Sequence, residues 1–335
     1  MAMDISVIVC TYNPEERIFN RCLNAIRSFR KNDLQVEVIL VDNNSFPSLI
    51  NLDYIEAFLA VTPSSRCITE TEPGLTYARI AGFRAALAPV VIYFDDDNEP
   101  DPDYLLIANQ VLSEKKEVGM LGPGVVQVDF IDGSNKWLES ERPLFQEINL
   151  TSEMYNNVLT SYEHCYPYGT GLVLRKKIME NYCRLVESQG EISDRKGNSL
   201  VAGGDLQIVW TGIKLGYYAG RTPKLQMVHI IPKSRTTESY IRKLCYSLGY
   251  SETKCRLGVF PENEQIIRKE KTTFFQTYFL LAKSILRYVF NLKFLFTHKV
   301  PNIVGRASGY YYAFDEKKPG WLLMTENLFG LKYYK

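Results

Sequence analysis

Three apolar runs rich in β-branched residues occur in the first hundred positions: DISVIVC at 4–10, VEVILV at 36–41 and VVIYF at 90–94. They are predominantly apolar, with Asp4, Ser6 and Glu37 the exceptions, so each reads as a strand buried on both faces. Between the first two, Ile18, Cys22, Leu23, Ile26 and Phe29 recur at helical spacing, and LTYARIAGFRAAL after Gly74 forms a second helical stretch. Strand–helix–strand units of this size fold as a parallel sheet wound with helices. Further on, Asp101 and Pro102 read as the N-cap and first position of a helix, and 119–170 as short strands and loops. Another helix starts near Asp205, and 224–231 reads as a strand. From about Arg235 the chain turns helical, aromatic and basic.

Composition is that of a globular protein, with 46% hydrophobic and 23% charged residues. The net charge of +1 conceals a division. Residues 233–335 hold 18 Lys and Arg against 8 Asp and Glu, and the rest of the chain 21 against 30. That asymmetry turns the C-terminal part toward an anionic partner. The seven cysteines include no CxxC pair and fit buried thiols in a reducing compartment. With no signal-peptide pattern, the expected location is cytoplasmic. The segment 272–296 carries Gln276, Lys283, Arg287 and Asn291 on one helical stripe and is too interrupted to span a bilayer. It reads either as an interfacial helix, peripheral at the inner face of the membrane, or as a helix packed on protein. Walker A and GxGxxG patterns are absent, and nucleic acid is not an expected partner.

The strongest chemical feature is Asp95-Asp96-Asp97-Asn98 at the end of a buried strand. Ligands of open α/β sheets bind outside the carboxyl ends of the strands. Clustered carboxylates repel unless a cation stands among them, and Mg²⁺ or Mn²⁺ held with a diphosphate is the natural resident. A solvated acidic loop is the plainer reading. Asp42 closes the second strand as a ligand for base or ribose, or as a turn residue. Thr11, Tyr12 and Asn13 close the first strand and can line the same crevice. Arg79, on a helix whose small residues face the sheet, either reaches back toward the nucleotide or lies on the surface. Gly203-Gly204-Asp205 opens a helix, where Asp205 is a general base or an N-cap. His229 is a core histidine or a metal ligand beside Asp97.

In order, CTYN, VDNNS, EPGLTYARIAGF, FDDDN, GGD and a strand bearing His resemble the family 2 glycosyltransferases of GT-A fold, over roughly residues 1–235. The resemblance implies that Thr11, Tyr12, Asp42 and Arg79 hold the nucleotide, with Asn13 and Asp96 beside them. It makes Asp95 and Asp97 the DxD motif with Asp97 on the metal, and Asp205 the base. PYGTGLVL at 167–174 is similar to the family's acceptor-side loop. Two positions depart: Gly204 stands where the family usually has Glu, and Ile80 where Asn is commoner.

The expected architecture is therefore α/β of GT-A type, a Rossmann-like, mostly parallel sheet flanked by helices. A nucleotide-sugar half covers about 1–100 and an acceptor half about 101–235, with a helical basic extension over 236–335. The implied activity is inverting transfer of a sugar from a nucleotide-diphosphate sugar to an acceptor hydroxyl. The acceptor class is a surface polysaccharide or lipid-linked glycan. The rival readings are a non-catalytic nucleotide-sugar-binding protein and a nucleotidyltransferase. The latter usually carries a glycine- and lysine-rich phosphate loop near the N-terminus, which this sequence lacks.

Overall fold

The structure, a computed structural model, describes residues 2–159, 163–189, 200 and 203–333. The chain divides into two compact units, Met1–Ser188 with Ile208–Pro232, and Gln189–Gln207 with Lys233–Lys335. The second unit takes in 189–207 as well as the C-terminal hundred residues.

The first unit is built on one mixed sheet. Its strands are β1 (Ile5–Thr11), β2 (Val36–Asp42), β3 (Ser65–Thr69), β4 (Val90–Asp95), β5 (Asn98–Pro100), β6 (Val118–Phe130), β7 (Ile148–Asn149), β8 (Met154–Asn156), β9 (Leu172–Arg175) and β10 (Tyr218–Ile231). They lie in the order β3-β2-β1-β4-β9-β6-β10-β5, with β7 on β6 and β8 on β10. β3, β2, β1 and β4 run parallel, and every residue of β1 and β2 is buried, as mostly apolar strands require, with Ser6 and Glu37 paired to each other inside. Beyond β4 the sheet is mixed, because β9 is antiparallel to both of its neighbours. The helices of this unit are α1 (Glu16–Arg27), α2 (Asp53–Val61), α3 (Leu75–Ala85), α4 (Tyr104–Glu114), α5 (Lys136–Ser140) and α6 (Lys176–Gln189), while α7 (Gly204–Lys214) has residues in both units. The apolar stripe of α1, with Phe19, Cys22, Leu23 and Ile26, joins alternate residues of β1, β2 and β4 in one core.

Three local expectations need correction. α4 begins at Tyr104, two residues beyond Pro102, because Asp101 closes a turn: its carboxylate accepts from Asp103 N at 2.9 Å and its carbonyl from Tyr104 N at 3.0 Å. Residues 118–130 form a single 13-residue strand, held between β9 and β10, where short strands and loops were expected. β3 escaped the sequence reading altogether. It is five residues long and only partly buried at the sheet edge, so its apolar signal is weak.

The second unit contains α8 (Glu238–Val259), α9 (Glu264–Lys269), α10 (Phe274–Arg287), α11 (Leu292–Phe294), α12 (Val300–Ala313) and α13 (Gly320–Leu328). α8 and α12 meet backbone to backbone. Gly305 and Gly309 of α12 lie on the carbonyl oxygens of Tyr246 and Tyr250, leaving no room for a Cβ at either glycine. Tyr246, Tyr250, Tyr310 and Tyr311 pack with Leu281, Leu295, Val304 and Leu322 in a core of the unit's own. Buried Glu326 is satisfied there by Tyr246 and Ser308 hydroxyls, each at 2.6 Å, and by Lys318 at 2.8 Å.

Candidate active site

Strand register assembles the site. In the parallel ladder Thr11 stands opposite Asp42 and Cys10 opposite Asp95, so the acidic ends of β2 and β4 flank the end of β1. Thr11 is buried, and its hydroxyl donates to the Asp96 carboxylate. Tyr12 is exposed on the turn that follows. Asn13, at φ 48°, ties that turn to the loop after β2: its amide donates to Ser45 Oγ at 2.9 Å and its side-chain carbonyl accepts from Phe46 N at 2.8 Å. Asp42 is fully buried. Its carboxylate accepts from Ser45 N, Ser48 Oγ and Leu49 N at 2.8–2.9 Å, so it shapes the loop around the crevice. Cys10 is unsuited to nucleophilic work, because burial pushes its thiol up to about 12 despite the opposing pull of Arg79.

The acidic triplet is a tight turn from β4 into β5. Asn98 closes it, accepting from Asp95 N at 3.0 Å through its side-chain oxygen and donating to Asp97 Oδ1 at 2.7 Å. β5 then pairs with β10 so that Asn98 stands opposite His229. Asp97 and His229 are both buried, with Nε2 of the ring 3.6 Å from Asp97 Oδ1. The other ring nitrogen, Nδ1, lies 2.8 Å from the Phe145 carbonyl, which can only accept. Nδ1 therefore carries the proton, and in the neutral ring Nε2 turns its lone pair toward a carboxylate. A positive charge would satisfy both groups, as a second proton on the ring or as a metal ion held between them. The distance exceeds a hydrogen bond and is short enough for both to reach one metal ion. Among the described residues, no group of three or more His, Cys, Asp or Glu side chains is arranged to hold a metal. The protein thus offers a partial ligand set, which suits a cation that completes its shell with phosphate oxygens.

Arg79 is buried on α3 and turned toward β4, with Nη2 3.9 Å from Asp95 Oδ1. The bland alternative of a surface arginine is excluded. Its guanidinium rests against Gly169, where a Cβ would collide with it. The PYGTG loop reaches this place because β9 runs antiparallel to β4 with Leu172 opposite Tyr93, so the start of β9 lies beside the end of β4. The sequence reading missed what holds the loop. Tyr104 donates its hydroxyl to Gly171 O at 2.6 Å. Arg221 donates to Tyr166 O at 3.1 and 2.7 Å and to Pro123 O at 3.2 Å, with its guanidinium 4.3 Å over the Tyr168 ring. An arginine inside the otherwise apolar strand YYAGRT was the available signal.

Asp205 is the second residue of α7, which begins at Gly204, so it lies inside the first turn and the N-cap reading does not hold. Its Oδ1 accepts from the neighbouring Leu206 N at 2.8 Å. Gly203, at φ 147°, lies against Cys255 Sγ, which leaves glycine the one residue that fits both the backbone and the space. Within the first unit, the fold thus gathers Thr11, Asp42, Arg79, Asp95, Asp96, Asp97 and His229 at one edge of the sheet.

Comparison with known proteins follows the same lines. The model of glycosyl transferase family 2 matches residues 6–183. An uncharacterized glycosyltransferase of Nostoc sp. is 28% identical over 180 residues, 53% of this chain and 52% of the relative. Polypeptide N-acetylgalactosaminyltransferase 8 of Drosophila melanogaster is 34% identical over 102 residues, 30% of this chain and 17% of the relative. The chain thus spans about half the length, or less, of these curated relatives. Among solved structures, GalNAc-T7 with UDP, GalNAc and Mn²⁺ aligns over 80% of this chain and 54% of its own, at 14% identity and a TM-score of 0.49.

If Arg221 holds the PYGTG loop, Arg221→Met leaves the buried carbonyls of Tyr166 and Pro123 without their donor, at about 1–3 kcal/mol each. Chemical denaturation should register a loss on the order of 2–6 kcal/mol, with faster chymotryptic cleavage after Tyr168. An unchanged midpoint and cleavage rate would show that the loop is held by other contacts.

Proposed function

The chain belongs to glycosyl transferase family 2, and from that premise we propose that it moves a sugar from a nucleotide-diphosphate sugar onto an acceptor hydroxyl with inversion. The observation that carries this reading is the buried Asp97–His229 pair, 3.6 Å apart at the carboxyl edge of the sheet, beside Arg79 and Asp95. Asp97 and His229 would hold a divalent cation, Mg²⁺ or Mn²⁺, and the imidazole would favour Mn²⁺, the softer of the two. When bound, the cation neutralises charge growing on the diphosphate as it departs. Thr11, Tyr12 and Asn13 line the nucleotide side, and Asp42 and Asn13 keep that wall in shape through the hydrogen bonds described above. Arg79, buried and fixed against Gly169, supplies a permanent positive charge toward the donor.

In the transfer itself Asp205 takes the proton from the acceptor hydroxyl while that oxygen attacks the anomeric carbon. The bond from that carbon to the diphosphate oxygen breaks, and the electron pair leaves with the diphosphate. One displacement inverts the configuration, and no covalent enzyme intermediate forms. The acceptor class is a glycan or lipid-linked glycan of surface polysaccharide assembly, and the proposed place of action is the cytoplasm. The nucleotidyltransferase reading lapses with family membership. A non-catalytic nucleotide-sugar binder remains a specific rival, because Gly204 stands where the family usually carries an acid.

Calorimetry of UDP and GDP, with and without Mn²⁺, tests the metal. Asp97→Ala and His229→Ala should each lose about tenfold or more in affinity, 1.4 kcal/mol per decade, together with the metal dependence. Unchanged affinity and an unchanged response to Mn²⁺ would remove the pair from the site.

Asp205→Asn separates enzyme from binder. If Asp205 is the base, transfer falls on the order of a hundred- to ten-thousand-fold while nucleotide binding and melting temperature stay put. A fall of less than about tenfold in an intact protein would place the base elsewhere.

A further inference from the structure

The second unit carries a feature that sugar transfer does not use. α10 begins with a capping box, Thr273 with Gln276, and buries only Thr277 and Leu281. On its opposite side Phe275 is 81%, Phe279 67% and Leu286 80% exposed, and Phe290, just past its end, 101%. At 100° per residue Phe275, Phe279 and Leu286 lie within about 40° of one another and make one apolar ridge, and Phe290 follows in the turn after the helix. Scattered exposed apolar residues are ordinary, whereas a contiguous ridge marks a surface that meets something.

The ridge has a charged border. Gln276, Lys283 and Arg287 form the adjoining stripe and are exposed. Among the described residues neither Lys283 nor Arg287 has a carboxylate partner; nearby Lys271 and Lys293, by contrast, pair with Glu316 and Glu238 at 2.9 and 2.6 Å. At the N-terminal end of α10 a surface hollow of about 300 Å³ is lined by Lys269, Glu270, Lys271, Thr272, Gln276, Phe279 and Leu280, joining two basic heads and one carboxylate, which pairs with Arg256, to the same apolar ridge. Phe274, Tyr278 and Trp321 cluster beside it, aromatic side chains of the kind that settle at a membrane interface.

We infer that α10 and the turn after it dock on an anionic lipid bilayer. A helix of 14 residues is about 21 Å long, too short to cross an apolar core of about 30 Å, and among the described residues no helix is long and apolar enough to span a membrane. It lies in the interface plane, with the phenylalanines in the acyl boundary and Lys269, Lys283 and Arg287 at the headgroups. A second copy of this chain is the poorer occupant. It would bring the same surplus of ten positive charges over 233–335 to the contact, while acidic headgroups complement that surplus. The inference rests on the second unit alone and does not depend on the transferase reading.

Co-sedimentation of the full chain with vesicles, without donor or metal, tests it. Binding to phosphatidylglycerol-containing vesicles should exceed binding to pure phosphatidylcholine by about tenfold or more and weaken with salt. Lys283→Glu with Arg287→Glu should reduce it, and Phe275→Ser with Phe279→Ser and Phe290→Ser should abolish it while circular dichroism and melting stay unchanged, since these side chains are exposed. The idea is overturned if the protein ignores both kinds of vesicle, or if the serine variant binds like the parent. It is equally overturned if that variant turns a dimer into a monomer by light scattering and vesicles never bind.

Discussion

The candidate site depends on β1 lying in parallel register between β2 and β4. That register sets Thr11 against Asp42 and Cys10 against Asp95, so three strands deliver their polar ends to one place. It holds because β1 and β2 are mostly apolar and buried on both faces, and the one charge inside them, Glu37, is satisfied by Ser6 Oγ, Leu87 N and Arg66. A slip of one residue would turn every side chain to the opposite face of the sheet. The antiparallel insertion of β9 next to β4 adds the PYGTG loop to the same edge, with Arg221 and Tyr104 fixing the loop from behind.

Four carboxylates crowd this edge, and the fold answers each one differently. Asp42 is absorbed into its own loop by two backbone amides and a serine hydroxyl. Thr11 donates to Asp96, and Arg79 faces Asp95. Asp97 meets Asn98 and the imidazole of His229, whose tautomer is set from behind by the Phe145 carbonyl. That last arrangement sets a ring nitrogen beside a carboxylate in a buried place, where a proton or a metal ion can bridge them. His229 gets there through an irregularity. Between Thr222 and Gln226, β10 spends two more residues than β6 does, and Pro223, which has no amide hydrogen to donate, sits in that interval.

Much of this was legible in the sequence. The buried strands, the helices covering them and the order of the motifs depend on local pattern, and local pattern survives folding. Asp97 and His229 could be named as partners because each closes or occupies an apolar strand with no other evident task. The elements that escaped are held by distant contacts. β3 gains its place from pairing with β2, not from its own composition. Asp42 is tied down by Ser48 and Leu49, a detail that follows from loop conformation and not from residue type. Arg221 spans from β10 to carbonyls at 123 and 166, a reach that periodicity does not reveal. The α10 ridge was visible as an apolar helix, but its exposure was not. A wide apolar face looks the same in sequence whether it is buried in protein or left open.

The central claim is that His229, and not only the acidic turn, belongs to the metal site. Pulsed electron paramagnetic resonance on the protein with Mn²⁺ and a nucleoside diphosphate measures this directly, because a coordinated imidazole nitrogen couples to the manganese spin. The account predicts a ¹⁴N coupling in the parent protein that disappears in His229→Gln, while phosphorus coupling from the diphosphate remains in the parent. Manganese bound at the diphosphate with no nitrogen coupling, or with a coupling that persists in His229→Gln, would contradict it.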